Sequence, residues 1–114
     1  MKKFYFVLVG ENIVLERGAI PIAGFVVPRL VLGKTEEQAL QRLKIELLKQ
    51  WKSHFNQSNR AGTPKLSLQM SSRIRMPFKR LKLDSEFHFF SDDEEKAKLI
   101  DQSEKALKRW FIIR

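Results

Sequence analysis

The sequence predicts an α+β fold, with a mostly antiparallel β-sheet and two α-helices packed on one face, and three observations lead to this prediction. Two segments begin with helix-capping sequences and continue with apolar residues at helical spacing. The other apolar residues form short runs or alternate with polar residues, which is typical of strands. The order is strand, strand, helix, strands, helix, and 114 residues is the length of a single domain, residues 1–114.

The first two strands are predicted near the start of the chain. Residues 4–9 form a continuous apolar run of six residues after Lys2 and Lys3. That run is shorter than the core of a secretory signal, about seven residues, so we expect a strand. Residues 10–12 read as a turn and 13–15 as the returning strand. Residues 24–32 form the next strand, and Pro28 places it at an edge or a bulge because proline cannot donate to the ladder.

Two helices are predicted, over residues 35–54 and 92–109. Thr35 and Gln38 form a capping box, followed by an apolar stripe that ends at Trp51. Residues 91–94 form a second capping box, and the stripe behind it includes Trp110. Because each helix has one apolar stripe, we expect each to pack on the same side of the sheet.

Between the helices, residues 56–64 are polar and contain helix breakers, which indicates a loop. Apolar side chains then occupy even positions from Leu66 to Phe78, so they are expected to share one face of a half-buried strand, or of two strands broken near residues 71–72. The pattern changes phase after Pro77, which indicates a bulge near residues 77–79. Residues 87–90 are predicted to form the last strand before the second helix.

No catalytic, cofactor-binding or metal-binding residues are predicted. The chain has no cysteine, no phosphate-binding glycine loop and no nucleophile elbow. His54 is expected to interact with the terminal carbonyls of its helix, and His88 to point to the other sheet face from its neighbouring phenylalanines. The acidic residues 92–95 suit the positive end of a helix and point in different directions, which disfavours a shared metal ion.

A basic segment is the strongest functional candidate in the sequence. The formal net charge is +9, and residues 60–83 carry seven Lys or Arg without an acidic residue. Neighbouring cations on one strand face lie roughly 7 Å apart, close to the spacing of phosphates along a nucleic-acid strand. The candidate nucleic-acid-binding residues are Arg73, Arg75, Lys79, Arg80 and Lys82. The same charges also fit an acidic protein partner, a solvated sheet face, or intramolecular pairing with the acids of residues 84–104.

Two resemblances add to this interpretation. The opening run 4–8 with residues 10–12, the strand containing Gly24 and Phe25, and the helix start at residues 36–39 resemble a group of small uncharacterised bacterial proteins. That group has no assigned activity, so the resemblance implies a fold and no function. The step from Gly33 through Thr35 to Ala39 resembles, more faintly, the antitoxin domains of HicB type.

The leading functional hypothesis is a non-enzymatic binding or interaction domain in the cytoplasm of a bacterium, with no membrane partner. The first alternative is a nucleic-acid-binding protein that uses the strand face 73–82. The second is an enzyme with an unrecognised site, which a deep pocket containing Tyr5 or His88 would favour. An unprotected edge at the strand containing Pro28 also predicts a homodimer.

Overall fold

A computed structural model describes residues 2–74 and 86–112 of the chain. The four strands form one antiparallel sheet in the order β3-β1-β2-β4, and the α+β class is confirmed. The strands are β1 (Lys2–Arg17), β2 (Ile20–Gly33), β3 (Lys65–Ile74) and β4 (His88–Phe90). Helix α1 (Glu36–Phe55) connects β2 to β3, and α2 (Asp93–Ile112) follows β4. The central strand β1 therefore separates β2 from β3.

The two helices cover opposite faces of the sheet, so the prediction that both pack on one face was wrong. Phe4, Phe6 and Leu8 pack in one cluster with the buried side of α1. Tyr5, Val7 and Val9 pack in a second cluster that contacts Leu99, Ile100 and Leu107 of α2. Successive strand residues point to opposite faces, so an uninterrupted apolar run is what a strand covered on both sides requires.

Strand β1 is longer than predicted, and the turn lies further along the chain. Residues 10–12 continue the strand, and the pairing with β2 is irregular between Glu11 and Leu15. Asn12 has a φ of 66°, which fits a bulge that bends the strand without reversing it. The reversal occurs between Arg17 and Ile20, where Gly18 has a φ of 67°, as a tight hairpin turn requires.

Strand β3 contains a bulge earlier than the sequence suggested. Leu68 pairs with Leu8, while Met70 pairs with Val7, so Gln69 is an extra residue. Leu66 and Leu68 consequently pack on the α1 side, whereas Met70 and Ile74 pack on the α2 side. The prediction that these even-numbered residues share one face was therefore wrong within β3. The bulge expected at residues 77–79 lies outside the described residues.

Both helix starts are capped, and both predicted helices are present. Thr35 Oγ1 accepts a hydrogen bond from the Gln38 amide at 3.1 Å, as predicted. At α2 the cap is Asp92, one residue later than predicted, because its Oδ1 accepts from the Glu95 amide at 2.8 Å. The predicted loop at residues 56–64 is confirmed as lying outside helices and strands. None of the helices in the described ranges is long and apolar enough to cross a membrane.

Two polar contacts attach α2 to the sheet. The Tyr5 hydroxyl donates to the Ser103 carbonyl at 3.5 Å, and Lys96 Nζ lies 3.3 Å from Glu11 Oε2. On the other face, Trp51 Nε1 of α1 donates to the Gly62 carbonyl at 2.8 Å, which ties the loop before β3 to the helix. Each helix is thus held by apolar packing and by hydrogen bonds to a neighbouring segment.

Candidate binding cleft

The predicted nucleic-acid site is only partly within the described structure. Arg73 is exposed near the end of β3 and pairs with Phe4, so it projects on the α1 side. Arg75, Lys79, Arg80 and Lys82 lie outside the described residues. Lys65 precedes the bulge and Arg73 follows it, so these two cations project from opposite faces of the strand. The described part of β3 therefore does not form a single basic row.

A cleft opens instead beside α1, where β4 begins. β4 pairs with β2 at residues 24–26. Helix α1 packs on the face of the sheet that holds Phe25 and Val27. The space between β4 and α1 is an open cavity of about 470 Å³. Its lining combines a strand, the second half of α1 and the segment entering β4: Arg29, Gln50, His54, Phe55, Glu86 and Phe87. The fold thus brings together charged, polar and aromatic side chains that are far apart in sequence.

Arg29 is the central charged residue of this cleft. Its side chain is 16% exposed, and its Nη2 donates to Gln50 Oε1 at 2.7 Å. Glu46 approaches the guanidinium at 3.8 Å, and Phe87 lies with its ring centroid 6.0 Å from Cζ. Burial lowers the pKa of Arg29, and the charge of Glu46 opposes that shift. The guanidinium is therefore a cation in a partly desolvated place, oriented by Gln50.

Aromatic rings form the apolar part of the cleft. Phe25 stacks on Trp51 with the ring centroids 5.4 Å apart, and Trp51 lies 5.4 Å from Phe55. Phe55 in turn lies 5.5 Å from Phe87 and 5.1 Å from Phe89. We call these five contacting rings the aromatic ladder. Trp51 is fully buried at its base, while Phe55 and Phe87 are half-buried at its rim. The rim rings can contact a bound group while the deeper rings hold them in position.

The two histidines are placed differently relative to the cleft. His54 Nδ1 lies 2.9 Å from the Gln50 carbonyl, which confirms the expected contact with its own helix, and its ring lines the cavity. His88 pairs with Val26 and so points to the α2 side, opposite to Phe89. Tyr5 is buried against α2. Neither Tyr5 nor His88 lines this cavity or the smaller one described next.

A second, smaller cavity follows along the same side of α1. Its volume is about 240 Å³, and it is lined by Val31, Arg42, Leu43, Ile45, Glu46 and Lys49. Glu46 lies between the two cavities, since it contacts Arg29 and also accepts from Gln50 at 3.2 Å. The two exposed cations Arg42 and Lys49 outnumber this one carboxylate. The smaller cavity is therefore suited to an anionic group.

Sequence reasoning missed Arg29, although one pattern could have indicated it. Phe25, Val27 and Val31 of β2 face α1. Arg29 lies between Val27 and Val31 at the same two-residue spacing, so its side chain points to the same face. A charged residue at an inward position of an apolar strand needs a partner or a function. The partners, Gln50 and Glu46, lie some twenty residues further on. Only the folded chain shows that they meet.

The acidic run at the start of α2, residues 92–95, has structural contacts. Asp92 caps the helix, and Glu95 Oε1 accepts from the Ser91 amide at 3.1 Å. Glu94 lies 3.7 Å from Lys98 one turn along α2. Among residues 2–74 and 86–112, no three His, Asp or Glu side chains are placed to share a metal ion.

Comparison with known proteins identifies no relative. No protein-family model, no curated protein and no solved structure matches the chain. Neither resemblance drawn from the sequence therefore finds support in these comparisons.

Proposed function

We propose that this protein is a non-enzymatic binding domain of the bacterial cytoplasm and that it holds its partner in the cleft beside α1. The observation that carries the proposal is Arg29, a guanidinium of 16% exposure oriented by Gln50 between α1 and the ring of Phe87. Binding sites typically combine apolar walls with a few placed polar groups. The cleft has this composition and opens to solvent.

The charge around the cleft favours an anionic partner. From Arg42 onward, α1 carries four Lys or Arg against one Glu. Electrostatic complementarity of this kind increases the rate of encounter and selects partners by sign of charge. We therefore expect a partner that presents carboxylates or phosphates together with an apolar or aromatic group.

An NMR titration tests this proposal with three probes: acetylated tetraglutamate amide, an eight-nucleotide oligothymidylate and inorganic phosphate. We expect at least one probe to cause saturable shifts at Gln50, His54 and Phe87. Arg29→Met should weaken that binding at least about tenfold, which is about 1.4 kcal/mol. Arg73→Met is the matched control, because it makes the same change on β3, and it should leave the affinity unchanged. No shift in the cleft with any probe would contradict the proposal.

Nucleic-acid binding through β3 is a second candidate function. The observation that favours it is Arg73, which is exposed on a strand that pairs with the described sheet along one side, through β1. Phosphate contacts from such residues would give affinity without base specificity. This candidate differs from the first in the surface used, so Arg29 and Arg73 variants separate them.

A homodimer is the last proposal taken from the sequence. It would use the stretch of β2 around Pro28, because no strand among residues 2–74 and 86–112 pairs with the side of this stretch opposite to β1. An unprotected strand edge can pair with a second copy. Sedimentation at micromolar concentration tests it, with a species of twice the 13.4 kDa chain mass expected. A single 13.4 kDa species at all concentrations would contradict the dimer.

A further inference from the structure

The side of α1 that points away from the sheet carries two exposed aliphatic side chains. Ile45 is 57% exposed and Leu48 is 36% exposed. Because they are three residues apart on a helix, they lie next to each other, and both lie opposite the buried side of α1. On α2, by contrast, Leu99, Ile100 and Leu107 pack against the sheet. The aliphatic pair of α1 belongs to neither core cluster.

The lysines of the two helices have different neighbours. On α2, Lys98 pairs with Glu94 at 3.7 Å and Lys105 pairs with Asp101 at 3.0 Å, in each case one turn along the helix. On α1, the residue one turn before each lysine is apolar: Leu40 before Lys44, Ile45 before Lys49, and Leu48 before Lys52. Among residues 2–74 and 86–112, neither these three lysines nor Arg42 forms an ion pair with an acidic side chain. These cations can therefore pair with carboxylates of another molecule.

The outward residues of α1 follow the spacing of a seam between two helices. They are separated by four, three and four positions along the chain: Gln41, Ile45, Leu48 and Lys52. This spacing is that of successive d, a, d and a positions in a heptad. Ile at a with Leu at d is the combination that favours two-stranded pairing. Basic residues occupy e and g positions beside the seam: Arg42, Lys44 and Lys49.

The charges beside the seam determine which partner fits. Side chains at e and g meet those of the paired helix, where opposite charges attract and set the choice of partner. Two α1 helices facing each other would bring their cations together, which disfavours a second copy of this chain. A phosphate backbone would pair with the cations but would leave Ile45 and Leu48 without an apolar partner. A helix with an aliphatic seam and flanking carboxylates satisfies both requirements.

We propose that the outward side of α1 packs against an amphipathic helix of a partner protein, with aliphatic residues at its a and d positions and glutamates at e and g. Ile45 and Leu48 form the apolar centre of this contact. The lysine stems cover its edges, while the ammonium groups pair with the glutamates. This surface is separate from the cleft that Arg29 and Phe87 line, so the inference does not depend on the proposed function.

The probe is a peptide of three repeats of Glu-Ile-Ala-Gln-Leu-Glu-Ala, acetylated and amidated, whose own glutamates disfavour pairing with itself. We expect saturable shifts of the Ile45 and Leu48 methyl signals in an NMR titration. Two control peptides separate apolar contact from charge. Glutamine in place of every isoleucine and leucine should weaken binding at least about tenfold, which is about 1.4 kcal/mol. Lysine in place of every glutamate should weaken it by at least the same factor, because the charges then repel.

Protein variants test the same contact from the other side. Ile45→Gln should weaken the glutamate peptide at least about fivefold, which is about 1 kcal/mol. Val14→Gln makes a similar change at an exposed residue of β1 and should leave the affinity unchanged. Lys49→Glu should weaken the glutamate peptide and strengthen the lysine peptide, each by about threefold, as expected for an exposed ion pair. Lys98→Glu, on the other side of the sheet, is the matched control for charge.

The unbound spectra show whether each variant is folded, and the control peptides test the wild-type protein independently. Arg29→Met should leave the affinity for the glutamate peptide unchanged, because Arg29 lies in the cleft. Loss of cleft binding and loss of helix binding are therefore separate results.

Three results would overturn the helix contact. The first is the absence of saturable shifts at Ile45 and Leu48 with the glutamate peptide. The second is equal affinity of the glutamine peptide or of oligothymidylate for the same two residues, which would assign this side of α1 to polyanions. The third is a set of nuclear Overhauser contacts in the free protein between Ile45 and residues outside α1, which would show that the surface is already covered. Contacts that increase with protein concentration would assign that cover to a second copy.

Discussion

The two faces of the sheet are built from different side chains. The α1 face is aromatic, with Phe25, Trp51 and Phe55 in contact, whereas the α2 face is largely aliphatic, with Val7 and Val9 at its centre. Planar rings that meet at angles of 57° to 78°, as Phe55 does with Phe87 and Phe89, leave space at their rim. Both cavities described here lie on the α1 side. The comparison gives the α2 face a stabilising role and supports the proposal that the α1 face also binds a partner.

On each face, an aromatic ring covers a glycine of the neighbouring strand. On the α1 side the Phe25 ring covers Gly10 of the neighbouring strand. On the α2 side the Phe90 ring covers Gly24 in the same way. A ring over a cross-strand glycine fills the space that a side chain would otherwise occupy.

The largest effect is expected at the base of the aromatic ladder. Trp51 is 1% exposed, stacks on Phe25 and donates to the Gly62 carbonyl. Trp51→Ala should lower the free energy of unfolding by roughly 3–5 kcal/mol, as large core truncations do. Urea denaturation measures the change, and a loss below about 1 kcal/mol would show that the indole is not part of the core. The parallel prediction for Trp110 concerns a side chain outside the described residues.

The two covered glycines should respond unequally to a methyl group. A Cβ at Gly10 would meet the end of the Phe25 ring, and a contact with a side chain is relieved more readily than one with the backbone. A Cβ at Gly24 would meet the Gly10 backbone oxygen as well as the Phe90 ring. Overpacking costs about 1–3 kcal/mol, so we expect Gly10→Ala near the lower limit and Gly24→Ala near the upper one. The reverse order in thermal or urea unfolding would contradict the description of these contacts.

A smaller effect is expected where α2 is hydrogen-bonded to the sheet. Tyr5→Phe removes the donor to the Ser103 carbonyl and should lower the free energy of unfolding by about 0.5–1.5 kcal/mol. Because the acceptor is a backbone oxygen, Ser103→Ala leaves this bond in place. The two substitutions should therefore give additive losses, and strong coupling in the double variant would show a different acceptor.

The smallest effect on stability is expected at Arg73. It is exposed on β3, so Arg73→Gln should change the free energy of unfolding by less than about 0.5 kcal/mol. If β3 binds nucleic acid, the same change should reduce the slope of log affinity against log salt by about 1. Lys98→Gln, an exposed cation on α2, is the matched control and should leave the slope unchanged. An unaltered slope for Arg73→Gln would remove this residue from any nucleic-acid interface.

The sequence predicted the helices because their start signals are local. Thr35 and Gln38 are three residues apart, and their capping contact is present as expected. The side of the sheet on which each helix packs is not local information. In the continuous apolar run at residues 4–9, alternate side chains point to opposite faces of the sheet, and all of them are buried. Burying both sets requires a covering element on each face, so the two helices cannot both pack on one face.

The bulge at Gln69 and the cleft were harder to predict for a related reason. One extra residue in β3 leaves the alternation of the sequence intact while it exchanges the two faces of the strand. Arg29 acquires its role through Gln50 and Phe87, which lie on other elements. Such sites depend on tertiary contacts, so the charge pattern alone directed attention to the basic segment instead.

The most direct test of the account compares the two faces in one titration. The probes are acetylated tetraglutamate amide, the eight-nucleotide oligothymidylate and inorganic phosphate, each added to protein with assigned aromatic and methyl signals. We predict saturable shifts at Phe55 and Phe87 on the α1 face and unchanged methyl signals at Leu99 and Leu107 on the α2 face. Shifts at Leu99 and Leu107 with Phe55 and Phe87 unchanged would contradict the assignment of binding to the aromatic face.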